Sequence, residues 1–267
     1  MARSRDAGSL RRQLVDWLRD QVDGRGLRGA VVGVSGGVDS AVVLGLAAEA
    51  VGPERCLGLL LPIESAAEDI RLAALVAEHF QVEMLRVELE PVFRGLLSVL
   101  ADHRERAERI GAVGAQPGTA AAAPPGAEVL ARANLKPRLR MMALYYFANL
   151  LNYLVLGTGN KAERLVGYFT KWGDGAADAF PLGDLTKAEV WALARELGVP
   201  EEVTTRPPTA GLWPGQTDEA EIGVTYAKLD RYLLEGSSGD PVADERIRAL
   251  HAASEHKRVA APIAEPR

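Results

Sequence analysis

The chain has 267 residues, a length that suits one large α/β domain, expected to run as a single unit over 1–267. Hydrophobic residues make up 48% of it, enough for a sizeable core, and a net charge of -5 with no Lys/Arg run argues against nucleic acid as a partner. One cysteine, Cys56, excludes an internal disulfide, a CxxC pair and a four-cysteine zinc site, and no apolar stretch of about eighteen residues is present to span a bilayer.

The N-terminal stretch, with Arg3, Arg5, Asp6, Arg11 and Arg12, lacks the apolar core of a secretory signal, so a cytoplasmic location is expected. Leu10, Leu14, Trp17, Leu18 and Val22 recur at helical spacing and predict an amphipathic helix over 9–22. Gly24, Gly26 and Gly29 end that pattern, and Ala30 to Val34 reads as a short buried parallel strand. Val38 to Ala50 is predicted helical, Cys56 to Leu61 a strand, Ala66 to Phe80 a helix and Val82 to Val87 a third strand. This alternation marks a doubly wound parallel sheet flanked by helices.

No element is assigned to 88–110. Residues 111–127, with an alanine run and Pro124-Pro125-Gly126, are expected to form a mobile loop. A proline disfavours helical geometry at Lys136 and suits a first helical turn, so the next helix is predicted to start near Pro137 and reach Asn152. Leu139, Met142, Tyr146 and Leu150 lie along one of its sides. Tyr153 to Leu156 is a fourth strand, and 167–185 is irregular. Helices are predicted over Lys187–Leu197, Glu219–Leu234 and Val242–Ala253.

The segment Gly33, Val34, Ser35, Gly36, Gly37, Val38, Asp39, Ser40 lies between a strand and a helix, where open α/β sheets bind ligands. Glycines let the backbone turn sharply and approach an anion, and the N–H groups of the following helix point at it. A helix end contributes only about 0.3–2 kcal/mol, too little to neutralise a polyphosphate, so cations must help. Asp39 would repel phosphate unless a divalent ion sat between them, which makes it a candidate Mg²⁺ ligand. The loop lacks the Gly-Lys-[Ser/Thr] ending of a Walker loop, which argues against simple γ-phosphoryl transfer. Its Ser-Gly-Gly-x-Asp-Ser string resembles the loop of the ATP pyrophosphatase superfamily, whose members cleave ATP between the α and β phosphates while adenylating a substrate.

Later segments narrow the resemblance. Asn134-Leu-Lys-Pro-Arg-Leu-Arg-Met141, Leu154-Val-Leu-Gly-Thr-Gly-Asn-Lys-Ala-Glu163, and Gly167-Tyr-Phe-Thr-Lys-Trp-Gly-Asp-Gly-Ala-Ala-Asp178 come in order, followed by Pro181-Leu-Gly-Asp-Leu-Thr-Lys187. Pro208-Thr-Ala-Gly-Leu212, Gln216-Thr-Asp-Glu219 and His256-Lys-Arg258 complete the set. Together they resemble the NAD synthetases, over roughly residues 30 to 258. The resemblance implies an adenine nucleotide alpha hydrolase-like fold and ATP-dependent amidation of deamido-NAD. By the same resemblance Gly33 to Ser40, Thr158, Lys187 and Thr209 would bind ATP, and Asp39 and Glu163 would hold Mg²⁺. Arg138, Lys171, Asp178, His256 and Lys257 would contact deamido-NAD. No residue is assigned as acid, base or nucleophile. Glutamine-using relatives carry an added amidase domain with its own cysteine, so free ammonia is the expected nitrogen source here. A homodimer is also implied, with the helix faces at 9–22 and 139–153 as candidate contacts and equally as core.

Plainer readings of the same residues exist. Arg138 and Arg140 could form a solvated helix face, Glu163 a surface ion pair, and Lys171 with Asp178 loop salt bridges. His256 could be an exposed tail residue and Thr209 a turn cap. Two other functions compete: an ATP pyrophosphatase with a different acceptor, such as tRNA thiolation, and an ATP-sensing module without turnover. A lone cysteine in an apolar strand speaks against the first, and paired carboxylates against the second.

Overall fold

A computed structural model describes residues 5–113, 127–209, 211 and 215–264. Helix α1 (Ala7–Asp23) leads into strand β1 (Gly29–Gly33), helix α2 (Val38–Val51), strand β2 (Cys56–Leu60), helix α3 (Ala67–His79) and strand β3 (Glu83–Arg86). Helices α4 (Glu90–Val113) and α5 (Ala127–Leu151) precede strand β4 (Tyr153–Leu156) and helix α6 (Lys161–Val166). Then come α7 (Lys187–Glu196), α8 (Glu201–Thr204), α9 (Asp218–Ile222), α10 (Tyr226–Glu235) and α11 (Pro241–Ala253).

The strands form one sheet in the order β3-β2-β1-β4, and every pairing is parallel. Val31 of β1 sits opposite Leu57 on one side and Val155 on the other. Successive side chains of β1 face opposite ways. Ala30 and Val32 pack with Leu18, Leu44, Val76 and Val190, from α1, α2, α3 and α7. Val31 packs on the other face with Phe93, Leu139 and Ala148, from α4 and α5. Connections β1–β2 and β2–β3 therefore run over one face and β3–β4 over the other, as right-handed crossovers demand when a chain reverses direction across a sheet. A third apolar cluster, with Val166, Ile222, Tyr226, Leu229 and Ile247, joins α6, α9, α10 and α11 beside the sheet.

Chain reversal between β1 and β4 opens a crevice at the C-terminal ends of these two strands, the usual ligand site of open α/β sheets. The predicted strands and the helices α1, α2, α3, α7 and α11 are present within a residue or two at their ends.

Three sequence expectations need correction. The helix expected to begin near Pro137 begins at Ala127 and passes through the proline. Lys136 and Pro137 are both buried. The Lys136 ammonium pairs with Glu64 at 2.8 Å, and Pro137 packs against Gly173. Tertiary contacts on both residues offset the cost of about 3 kcal/mol for an interior proline. The helix predicted over Glu219–Leu234 is two helices, because Gly223 turns left-handed at φ 77° and Thr225 caps a new start. Of the segment 111–127, residues 111–113 end α4 and Ala127 opens α5; 114–126 lie outside the described residues. Helix α4 was not expected at all.

Candidate active site

The loop after β1 is shaped by its own side chains. Gly36 has φ 82°, and a Cβ there would lie 2.5 Å from the carbonyl oxygen of Asp69, so only glycine fits. The protein does not impose the same limit on Gly37, where a Cβ would meet only the Ser35 hydroxyl at 3.4 Å. Ser40 Oγ accepts from the Ser35 N–H at 3.2 Å and donates to the Gly37 carbonyl at 2.9 Å. Gly37 caps α2 with no side chain of its own. The first N–H groups of α2 are thereby left for an incoming acceptor.

Asp39 stands in the first turn of α2 and Glu163 in the first turn of α6, after β4. Both meet the Lys187 ammonium, which is bonded to Asp39 and lies 3.8 Å from Glu163 Oε1. Lys187 is fully buried. Burial alone would lower its pKa, but Asp39 and Glu163 more than offset that and raise it. Glu163 is pushed up to about 8, by burial first and the Asp39 charge second, with Lys187 acting in the opposite direction. Two acids crowded on one ammonium favour keeping a proton on Glu163, and a small dication could take that proton's place between the two carboxylates. Among the described residues no group of three or more His, Cys, Asp or Glu could hold a metal alone. Further ligands would have to be oxygens of a bound nucleotide or water.

Two helix starts hold this cluster in place. Asn160 accepts from the Glu163 N–H at 3.1 Å, and Glu163 Oε2 accepts from the Asn160 N–H at 3.1 Å. That reciprocal cap fixes one carboxylate oxygen and leaves Oε1 facing Lys187 and the Tyr226 hydroxyl, 3.2 Å away. The Asn160 side-chain amide donates to Asp39 at 3.1 Å. At the start of α7, Thr186 and Glu189 form the same kind of cap. The Asp230 carboxylate accepts from the backbone N–H groups of Lys187 and Ala188 at 3.0 and 2.8 Å. Thr158 lines a cavity of about 50 Å³ with Glu163, Phe169, Asp174 and Phe180. Thr209 is exposed, and its hydroxyl accepts from the Gly211 N–H; among the described residues it makes no hydrogen bond to this cluster.

The residues assigned to the second substrate gather around the loop after α6. Arg138 donates to the Lys171 carbonyl at 3.3 Å. The Lys171 ammonium reaches the His256 carbonyl and lies 5.3 Å from the Trp172 ring. Lys257 donates to the carbonyls of Gly167 and Phe169 at 2.7 and 2.8 Å. Gly167 turns at φ 69°, and a Cβ there would lie 2.1 Å from the Ser254 Cβ, so the C-terminal segment presses directly on this loop. The His256 ring is exposed. The Asp178 carboxylate accepts from the Val155 N–H at 2.9 Å and the Tyr145 hydroxyl at 3.1 Å, anchoring the far end of the segment to β4 and α5.

Sequence reasoning missed Asn160, Tyr226, Asp218 and Asp230. Asn160 was readable, since Asn160-Lys-Ala-Glu163 and Thr186-Lys-Ala-Glu189 share the cap-x-x-Glu spacing. Tyr226 and Asp218 gave no local signal: the tyrosine hydroxyl donates to Asp218 at 2.8 Å, and only tertiary packing brings both beside Glu163. Cys56 is buried at the start of β2, and burial pushes its thiol up to about 12.

The NAD synthase family model matches residues 10–261. The NH(3)-dependent NAD(+) synthetase of Carboxydothermus hydrogenoformans is 45% identical over 92% of this chain and 93% of its own length. The structure of NMN synthetase from Francisella tularensis superposes with a TM-score of 0.85 at 35% identity, covering 98% of this chain and 99% of that one. NAD+ synthetase from Burkholderia pseudomallei gives a TM-score of 0.72 at 32% identity, covering 96% and 91%. Alike in sequence and in backbone over nearly its whole length, the chain belongs to the NAD synthase family.

Proposed function

We propose that this chain amidates deamido-NAD with ammonia at the expense of ATP, giving NAD, AMP and pyrophosphate. The observation that carries the reading is the placement of Asp39, Glu163 and Lys187 together beside the glycine loop, at the β1/β4 crevice. A pure binding module has little use for two acids crowded on one buried lysine, whereas a site that must receive a charged polyphosphate with its metal does.

In the first step an oxygen of the nicotinate carboxylate attacks the α-phosphorus of ATP, and pyrophosphate leaves with the electron pair of the broken Pα–O bond. In the second, ammonia adds to the mixed anhydride carbonyl and AMP departs. The loop from Gly33 to Ser40 would receive the polyphosphate through the α2 N–H groups and the Ser35 hydroxyl, with Thr158, Lys187 and Thr209 as further ATP contacts. Asp39 and Glu163 would hold Mg²⁺, which neutralises charge on the leaving pyrophosphate when bound. Arg138, Lys171, Asp178, His256 and Lys257 would form the deamido-NAD side. Catalysis then rests on alignment and charge neutralisation, with no covalent enzyme intermediate.

The chain would work in the cytoplasm as a homodimer. Of the two candidate faces, Leu10, Val15, Leu18 and Val22 of α1 are buried in the core, while Met142, Tyr146 and Leu150 of α5 are 62, 64 and 66% exposed. These three recur every four residues on one helix side, so the α5 face is the one a second copy would cover. No described helix is long and apolar enough to cross a membrane.

The test is direct. Incubated with Mg-ATP, deamido-NAD and ammonium, the protein should form NAD and AMP in equal amounts; ATP that binds and is never cleaved would end the reading. The likeness to an NMN synthetase favours one alternative, an acceptor lacking the adenylate half. Faster turnover on nicotinate mononucleotide than on deamido-NAD would establish it. Sedimentation should give a dimer that Tyr146→Asp dissociates.

A further inference from the structure

Arg140 is two residues beyond Arg138 and points elsewhere. Its Nε donates to the Leu61 carbonyl at 3.0 Å, where the chain leaves β2. Its two terminal NH2 groups meet no acceptor among the described residues. The side chain is only partly exposed. Burial pulls the guanidinium pKa below its usual value, although Asp174 and Asp69 act in the opposite direction.

The neighbouring cations are all bonded, Arg138 and Lys257 to backbone carbonyls and others to carboxylates. Lys136, one turn earlier, sits on Glu64 at 2.8 Å, and Arg132 bonds the same carboxylate. Arg206 bonds Asp69, and Lys187 bonds Asp39. A half-buried guanidinium held by its Nε, with both outer NH2 groups turned to no described acceptor of the chain, is arranged to take an anion from outside it through two parallel bonds.

Its position selects the anion. Asp69 belongs to the first turn of α3, and its backbone packs on Gly36 of the phosphate loop. Asp174 belongs to the loop after α6, where it accepts from the Thr170 N–H at 2.9 Å. The Leu61 carbonyl follows Leu59, whose own carbonyl accepts from the Val34 N–H of the phosphate loop, and Arg138, two residues before Arg140, reaches the Lys171 carbonyl of the acceptor loop, so Arg140 stands beside both loops. In the reaction proposed above, one anionic group belongs to both sides: the α-phosphoryl, which starts on ATP and passes to the acceptor carboxylate. We propose that Arg140 is a catalytic residue that grips the α-phosphoryl group with its terminal NH2 groups as the carboxylate–phosphorus bond forms and pyrophosphate leaves. This rests on the adenylation reading.

Arg140→Gln and Arg140→Lys test it, by turnover and by calorimetric titration with AMP and with adenosine, which differ only in the phosphate. Arg140→Gln should lower kcat about 100-fold or more and weaken AMP about tenfold, with adenosine affinity within about twofold of wild type. Arg140→Lys should recover part of the AMP affinity. Equal AMP affinity in wild type and either variant overturns the proposal. So does a parallel loss of AMP and adenosine, which signals general damage, or a raised KM for ATP at unchanged kcat, which places the contact on the β,γ tail. Should Arg140→Gln not fold, a loss of AMP but not adenosine affinity in Arg140→Lys carries the same decision. Failure of the wild type to form NAD would overturn the adenylation reading alone, and the AMP–adenosine comparison would still decide whether Arg140 is an α-phosphate ligand.

Discussion

The two halves of the candidate site are built by different means. Around Asp39, Glu163 and Lys187 every polar side chain is held from the start of a helix, by the α2 turn, the Asn160–Glu163 cap and the Asp230 carboxylate beneath Lys187. Around Lys171 the chain is irregular, and its shape comes from lysine and arginine side chains reaching backbone carbonyls on Gly167, Phe169, Lys171 and His256. Secondary structure with caps gives a fixed geometry suited to bond-breaking. Loop carbonyls strapped by a C-terminal segment give a surface that can adapt to a large second substrate. The same chain thus separates precision from accommodation by choosing where helices begin.

That contrast can be broken at four points, in falling order of effect. Asp39→Ala should cut turnover at least about 100-fold while circular dichroism reports an intact fold; near-normal AMP production would remove Asp39 from the chemistry. Lys257→Met frees the Gly167 and Phe169 carbonyls, so the KM for deamido-NAD should rise about tenfold with the KM for ATP unchanged. If both rise equally, the halves are not independent.

A third point concerns acidity. Burial and the Asp39 charge hold Glu163 up at about 8. Its folded-state pKa lies above the unfolded one, so the folded chain keeps this proton more tightly, and stability is lost as pH rises through about 5 to 8. Urea midpoints measured without nucleotide across that range should fall, and Glu163→Gln should flatten the slope; an unchanged slope assigns the effect elsewhere. The smallest effect is at Cys56, whose buried thiol is pushed up to about 12. Iodoacetamide should neither label nor inactivate the native enzyme, and rapid labelling would mean that β2 opens.

Legibility followed the same division. The phosphate loop, Asp39 and Glu163 stand at strand-to-helix junctions and Lys187 opens a capped helix, places where composition changes abruptly, and the alternating pattern revealed the parallel sheet. Helix α4 escaped because Val92 and Phe93, or Val99 and Leu100, put apolar residues on several sides at once, with Phe93 buried and Val92 exposed. The break at Gly223 and the passage through Pro137 are decided by tertiary contacts, which local propensity does not contain. Arg140 has no local mark to distinguish it from a solvated helix face, because the carbonyl it bonds, on Leu61, is 79 positions away. Tyr226, sixty-three positions from the glutamate it touches, had no neighbour in the chain to betray it.

On the proposed reading, the lysine shared by two acids acts as a resident counterion. Asp39 and Glu163 would hold a dication only where Lys187 gave up its bond to Asp39, and the freed ammonium would then be available to the phosphates. One cation is traded for another, so the crevice never passes through a state of bare charge. Metal and nucleotide should consequently enter as a single complex, with neither held firmly in the other's absence.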